Sequence, residues 1–203
     1  MFLNVSYPNN RFIEEFLSSA IVKFYSQLDD MLKIFDIGEL YMRAGEKTFT
    51  DIFDKGLWQL HGREKLISLQ QIGVKTSDSN YGMPDLLVEY DKNILLLFEC
   101  KWANENEKDP SNIFKWGPDI ANKYYTDILK QANKYLFEKE FYSRYSIKYI
   151  IALTFSTVKF SSSENLKLWN YNSLDNGEFY GFNYYNNKGE TYGIAVYGKV
   201  EIK

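Results

Sequence analysis

Two apolar segments on either side of a short polar loop restrict the folds open to this chain. Residues 83–90 and 94–102 both have the pattern of a β-strand, and the loop between them, residues 91–93, is Asp-Lys-Asn. A polar loop of three residues joins neighbouring strands into an antiparallel hairpin. The sequence therefore predicts a hairpin in which Tyr90 pairs with Ile94.

The register of this hairpin brings charged side chains together. If Tyr90 lies opposite Ile94, Asp85 lies directly opposite Glu99. Side chains alternate between the two faces of a strand, so Glu99 and Lys101 project from the same face. Opposed Cβ atoms are about 4.5–5.5 Å apart, a distance at which two carboxylates repel each other. A divalent cation would remove this repulsion, and ligation by oxygen alone favours Mg²⁺ or Mn²⁺.

The hairpin carries a pattern that resembles the PD-(D/E)xK nuclease superfamily, with Pro84-Asp85 on one strand and Glu99-Cys100-Lys101 on the other. The resemblance implies metal-dependent hydrolysis of DNA phosphodiester bonds on a restriction-endonuclease-like mixed β-sheet flanked by helices. It assigns the metal to Asp85, Glu99 and the main-chain carbonyl of Cys100. It gives Lys101 the task of orienting or deprotonating the attacking water and stabilising charge in the transition state.

A second pair of residues is similar to the RecB-like and Cas4-like branch of the superfamily. Gln131 and Tyr135 are four residues apart in a predicted helix, so both lie on one face of it. The resemblance implies that a Gln-x-x-x-Tyr pair in this place positions the lysine or the substrate phosphate. The alternative is an ordinary amphipathic helix surface, because such pairs are common by chance.

Many members of the superfamily also carry an acidic residue on a helix before the hairpin. Glu46 is the first choice, because it shares a helical stripe with Phe49 and Phe53 and a core-facing charge needs a partner. Glu64 is the alternative, if the residues that follow it are helical. A solvated glutamate at a helix N-terminus is the other interpretation of Glu46.

Other segments have the patterns of an α/β protein. Residues 9–35 form one long helical stripe, which either packs in the core of the chain or serves a partner subunit. A second helix is predicted over 46–60, and residues 65–76 fit a strand or a short helix. A helix over 118–141 leads to an apolar strand over 147–155, which is expected to be central in the sheet.

We expect a single nuclease-fold domain over residues 1–203. It is divided into an N-terminal helical segment (1–45), a nuclease core (46–155) and a β-rich tail (156–203). The aromatic tail is expected to form short strands at a sheet edge, with a hairpin around 186–189.

Composition limits the kinds of site that the chain can build. A single cysteine among 203 residues excludes both a disulfide framework and the iron–sulfur cluster of Cas4-like proteins. No phosphate-loop motif is present, so no nucleotide cofactor is expected. The apolar runs are far shorter than the roughly 20 residues of a membrane span. With no signal segment visible, we expect an intracellular protein without a membrane partner.

The favoured function is that of a metal-dependent deoxyribonuclease, acting as a homodimeric endonuclease as small members without a motor domain often do. A related possibility, based on composition, is a nuclease-fold protein of an archaeal virus. The alternative is a catalytically silent nuclease-fold module that binds nucleic acid or protein. It would use the aromatic residues, 18% of the chain, and the C-terminal residues 129–203, with 10 basic and 7 acidic side chains. An unrelated α/β protein would separate Asp85 from Glu99.

Overall fold

Within the part of the chain that the structure describes, three helices precede most of the strands. The computed structural model describes residues 1–7, 10–71, 73–75, 81–106, 127–128, 130–134, 143–160 and 174–203. The helices are α1 (Arg11–Leu32), α2 (Ile37–Arg43) and α3 (Glu46–Lys65). The strands are β1 (Phe2–Ser6), β2 (Leu66–Gln70), β3 (Val74–Lys75), β4 (Tyr81–Gly82), β5 (Leu86–Tyr90), β6 (Ile94–Asn106), β7 (Ile147–Phe160), β8 (Glu178–Asn187) and β9 (Glu190–Ile202). Residues 127–128 and 130–134 are also helical.

One mixed sheet organises the described residues. Its strand order is β1-β8-β9-β7-β6-β5-β2, and β3 pairs with β4 in a separate ribbon. Strands β6 and β7 are parallel, whereas the other neighbours in the sheet are antiparallel. The predicted α/β class, with a mixed sheet flanked by helices and a long N-terminal helix, is thereby confirmed. Strand β7 lies between β6 and β9, so the prediction of a central strand is correct.

Helix α1 packs its apolar stripe inside this chain. The side chain of Asn10 caps the helix by accepting a hydrogen bond from the Ile13 N–H at 3.2 Å. The stripe is buried against α3 and the sheet, which confirms the core interpretation. The predicted end at residue 35 is wrong, because α1 stops at Leu32 and Asp36 caps α2 through the Gly38 N–H. No helix in the described ranges is both long and apolar enough to cross a membrane.

An aromatic cluster joins both long helices to the sheet, and we expect it to dominate stability. The Phe155 ring lies 5.4 Å from Phe24, 5.6 Å from Phe49 and 6.3 Å from Phe53, measured between centroids. Phe155→Ala should lower the free energy of unfolding by about 3–5 kcal/mol in urea titrations, because the cavity left behind cannot close fully. Ile34→Ala, at a side chain that is 79% exposed, should change it by less than about 0.5 kcal/mol.

Helix α3 is longer than predicted. It continues past the expected stop at residue 60 to Lys65, with a kink at Gly62, where φ is 68°. Strand β2 follows without a loop, so the undecided segment 65–76 starts as a strand. Its partner is β5, with Leu66 opposite Tyr90.

The tail also differs from expectation. Strands β8 and β9 are 10 and 13 residues long and extend the main sheet, whereas short strands at its edge were expected. The edge strand on this side of the sheet is β1, which pairs with β8. It lies within residues 1–45, the segment that was expected to be helical. The predicted hairpin is present, with Lys188 and Gly189 in its turn at φ values of 49° and 82°.

Candidate functional site

The hairpin of β5 and β6 has the predicted register. Tyr90 pairs with Ile94, and the ladder continues to Leu86 opposite Phe98. Strand β5 starts at Leu86 rather than at residue 83, so Asp85 lies one residue beyond the ladder. By continuation of the register it comes next to Glu99.

Asp85 is held by the main chain of β6. Its Oδ2 accepts a hydrogen bond from the Cys100 N–H at 2.7 Å. The carboxylate therefore satisfies a strand N–H that the shorter β5 leaves without a ladder partner. This contact fixes a half-buried negative charge at the open end of the hairpin.

Lys101 links this end of the hairpin to the start of α3. Its Nζ donates to the Cys100 carbonyl at 2.7 Å and lies 3.5 Å from Glu46 Oε2. The Lys101 and Glu46 side chains are 32% and 39% exposed, respectively. An ion pair this exposed contributes about 1 kcal/mol at most. Its contribution to stability is too small to be the reason for gathering these charges.

The ionisation of Glu46 reflects its neighbours. Burial raises the pKa of its carboxyl, the Lys101 ammonium lowers it, and the negative charge of Asp85 raises it. Glu46 therefore lies close to one like charge, Asp85, and to one opposite charge, the Lys101 ammonium. A divalent cation between Glu46 and Asp85 would remove the repulsion.

The pH response of Glu46 tests this arrangement. Its pKa is raised above the ordinary 4.5, so the folded protein holds this proton more tightly than the unfolded chain. The stability that the group contributes is full below the ordinary value and is lost as pH rises through the raised pKa. Asp85→Asn should lower the pKa of Glu46 and Lys101→Met should raise it, as measured by NMR titration of ¹³C-labelled glutamate. Asp91→Asn, in the hairpin loop, should not move it.

A small open cavity lies between the two carboxylates. Its volume is about 30 Å³, and it is lined by Glu46, Lys47, Thr50, Gln70, Gln71 and Asp85. This is enough for a water molecule or a metal ion. Gln71 has a φ of 50°, a conformation that is uncommon for residues other than glycine and is often found near functional sites.

Glu99 lies inside the sheet, with 1% of its surface exposed. Cys100 belongs to the core on the α1 and α3 side, so alternation places Glu99 on the opposite face, beside Ala152. Burial raises the pKa of the Cys100 thiol well above its ordinary value, and the charges of Asp85, Glu99 and Glu46 add to this. All three carboxylates are thus near Cys100. Within the described residues, however, no three His, Cys, Asp or Glu side chains converge as a metal site would require.

The other predicted residues lie elsewhere or outside the described part. Gln131 is an exposed residue of the helical stretch 130–134, whose Ala132 packs near Ala152. Tyr135 is outside the described residues, as is most of the predicted helix over 118–141. Glu64 is exposed and lies beyond the kink at Gly62, near the opposite end of α3 from Glu46. Of the two acidic candidates, the structure therefore brings Glu46 to Lys101.

Sequence reasoning missed the cavity residues that α3 and β2 supply. Thr50 is one helical turn after Glu46, so its position follows once Glu46 is chosen. Gln70 could be found only after residues 65–76 were known to begin with a strand beside β5. Its partner there is Leu86, next to Asp85.

Comparison of the chain with protein-family models, with curated proteins and with solved structures found no match. A function can therefore be proposed only from the residues of the site and from the motif that they form.

Proposed function

We propose that this protein is a metal-dependent nuclease that hydrolyses DNA phosphodiester bonds. The observation that carries the proposal is the meeting of Glu46 and Asp85 at one small cavity at the open end of the β5–β6 hairpin, with Lys101 Nζ 3.5 Å from Glu46. Two of these residues belong to the Pro-Asp…Glu-x-Lys pattern, and the third comes from a helix 39 residues earlier than Asp85. The mixed sheet flanked by helices agrees with the restriction-endonuclease-like fold that the pattern implies.

The donors around the cavity suit magnesium or manganese. Glu46 and Asp85 offer carboxylate oxygens, and Gln70 and Thr50 offer neutral side chains with oxygen atoms. Magnesium usually binds through one or two carboxylates, several waters and substrate phosphates, so two carboxylates suffice. When bound there, the cation would polarise a phosphodiester oxygen and make the phosphorus easier to attack.

The chain's own residues would hold and orient the reactants. The Cys100 N–H keeps the Asp85 carboxylate turned to the cavity. The Cys100 carbonyl and Glu46 hold the Lys101 ammonium, which would orient the attacking water and stabilise charge on the phosphate. Glu99 does not line the cavity, and it remains part of the proposal only as a further acidic residue near the Cys100 main chain. Gln131 and Tyr135 remain as proposed residues that position Lys101 or the phosphate.

Cleavage assays test the proposal directly. Purified protein should cut at least one of duplex, branched and single-stranded DNA in the presence of Mg²⁺ or Mn²⁺. Excess EDTA should stop the reaction, and added Mg²⁺ should restore it. Protein that leaves all three substrates intact with either metal would contradict the proposal.

A second candidate is a nuclease-fold module that binds nucleic acid without cutting it. The observation that favours it is the lack, within the described ranges, of three converging ligand side chains. It predicts a gel shift of the same DNA substrates with no cleavage products. The Asp85→Asn variant should then still shift the DNA, because binding would not require a cation between Glu46 and Asp85.

The homodimer is a separate part of the proposal. The apolar stripe of helix α1 is buried in the core of its own chain. It is therefore not available as a dimer interface and gives no support for a dimer. Sedimentation velocity at micromolar protein should show one species of twice the chain mass of 23.9 kDa. A single species at the chain mass would limit the proposal to a monomeric nuclease.

A further inference from the structure

Helix α3 and strand β2 run in opposite directions and meet through polar side chains. Trp58 Nε1 donates a hydrogen bond to Ser68 Oγ, and one helical turn earlier Asp54 meets Gln70. One turn of helix and two strand residues both advance by about 6 Å, so successive turns of α3 lie opposite every second residue of β2. The next turn towards the start of α3 holds Thr50, which lines the cavity.

The amide of Gln70 has only one orientation that fits this contact. Its Nε2 donates to Asp54 Oδ2 at 2.9 Å. A carboxylate accepts hydrogen bonds and donates none, so the amide nitrogen has to face Asp54. The amide oxygen is then the atom turned away from Asp54. Asp54 Oδ1 is buried without a hydrogen-bond partner in the described residues. Loss of the hydrogen bond from Gln70 to Oδ2 would leave the carboxylate with still fewer donors, which would cost folding free energy.

The same side chain borders the candidate cation cavity. Gln70 pairs with Leu86 across β2 and β5, which puts it next to Asp85. Gln70, Asp85 and Glu46 all line the cavity. A glutamine carbonyl is a common neutral ligand of divalent cations.

We propose that Gln70 is an oxygen ligand at this cavity, and that Asp54 is the positioning residue that keeps the amide oxygen turned towards it. The inference rests on the proposed function, because it assumes that Glu46 and Asp85 hold a cation. It adds a neutral ligand from β2 and a positioning residue from α3 to that site. Neither belongs to the Pro-Asp…Glu-x-Lys pattern.

The test measures Mn²⁺ binding, not cleavage. Titrations of the full chain, with free Mn²⁺ followed by electron paramagnetic resonance, should show one site that Asp85→Asn removes. Gln70→Leu removes the proposed ligand and should weaken binding at least tenfold, because loss even of a residue that orients a ligand costs about 10–100-fold in metal affinity. Asp54→Asn should weaken Mn²⁺ binding less. An asparagine amide can bond to either end of the Gln70 amide, so the Gln70 oxygen would face the cavity only part of the time.

A double exchange separates positioning from packing. With Asp54→Asn and Gln70→Glu together, the new amide donates to the new carboxylate, and a charged oxygen faces the cavity. This variant should bind Mn²⁺ at least as tightly as wild type. Gln59→Leu is the matched control, since Gln59 bonds to Gln27 on α1 and should keep wild-type affinity. Circular dichroism and urea midpoints show whether each variant is folded.

The outcomes distinguish the two proposals. Folded Gln70→Leu with wild-type Mn²⁺ affinity, beside loss of binding in Asp85→Asn, would overturn the role of Gln70 and leave the proposed function standing. A double exchange that binds no better than Gln70→Leu would overturn the positioning role of Asp54. Wild-type protein without a site that depends on Asp85 would overturn both proposals.

Discussion

Asp85→Asn should reduce Mg²⁺-dependent cleavage about a thousandfold while leaving the fold intact. The cation at this site is expected to supply several kcal/mol of transition-state stabilisation, and each 1.36 kcal/mol corresponds to a factor of ten. Asparagine keeps an oxygen that can accept from the Cys100 N–H, so the contact at the end of the hairpin survives and only the charge is lost. Single-turnover rates on end-labelled DNA, with circular dichroism of the same samples, measure both effects.

The matched control for this substitution is Asp91→Asn. It removes the same charge from the exposed turn at the other end of β5, where φ is 50° and asparagine is well tolerated. Its cleavage rate should equal that of wild type. An Asp85→Asn protein that is folded and cuts at the wild-type rate would remove Asp85 from the site.

The same assay separates the roles of the other two carboxylates. Glu46→Gln removes the charge that lies 3.5 Å from Lys101, whereas Glu99→Gln removes one that is buried inside the sheet. If both carboxylates serve the cation, both variants should lose activity as Asp85→Asn does. A folded Glu99→Gln protein with full activity would leave Glu46 and Asp85 as the working pair.

Lys101→Met should lower the cleavage rate about 10²–10³-fold without weakening DNA binding in EDTA. That range is typical for removal of one group that stabilises developing charge in a transition state. The cost in stability should be below about 1 kcal/mol, because the Lys101–Glu46 pair is partly exposed. Stopped reactions at saturating DNA measure the rate, and fluorescence anisotropy measures binding.

Two further variants sharpen the lysine prediction. Lys55→Met, at an exposed position of α3, is the control for loss of a positive charge and should cut normally. Lys101→Arg keeps the charge but cannot give up a proton at accessible pH. If Lys101→Arg keeps part of the cleavage activity, Lys101 acts by stabilising charge. If Lys101→Arg has no cleavage activity, a role in proton transfer is favoured. Full activity in Lys101→Met would contradict the proposed site.

The hairpin could be predicted because its signals are local. The three-residue loop fixes the register, and the observed ladder follows it from Tyr90 opposite Ile94 to Leu86 opposite Phe98. The exact extent of the hairpin could not be predicted. Residues 83–85 have a strand pattern, yet Asp85 leaves the ladder and bonds to a neighbouring N–H with its side chain.

The parts that were missed depend on contacts between distant segments. Residues 65–76 fitted a strand or a helix equally well, and the pairing of Leu66 with Tyr90 settles the question. The stripe of the first helix continues to residue 35, but the Asp36 cap of α2 overrides it. Gln70 and Asp54 acquire their roles only when α3 lies along β2, which no periodicity in either segment reveals.

The strand order has a consequence for synthesis on the ribosome. Strand β1 is made first, yet its partner is β8, with Phe2 opposite Phe182. Strand β8 in turn reaches the rest of the sheet only through β9, since β9 separates it from β7. The sheet therefore cannot be completed until residues 190–202 have left the exit tunnel. Pairings between such distant segments form slowly, so β1 lacks its sheet partner while the nascent chain grows.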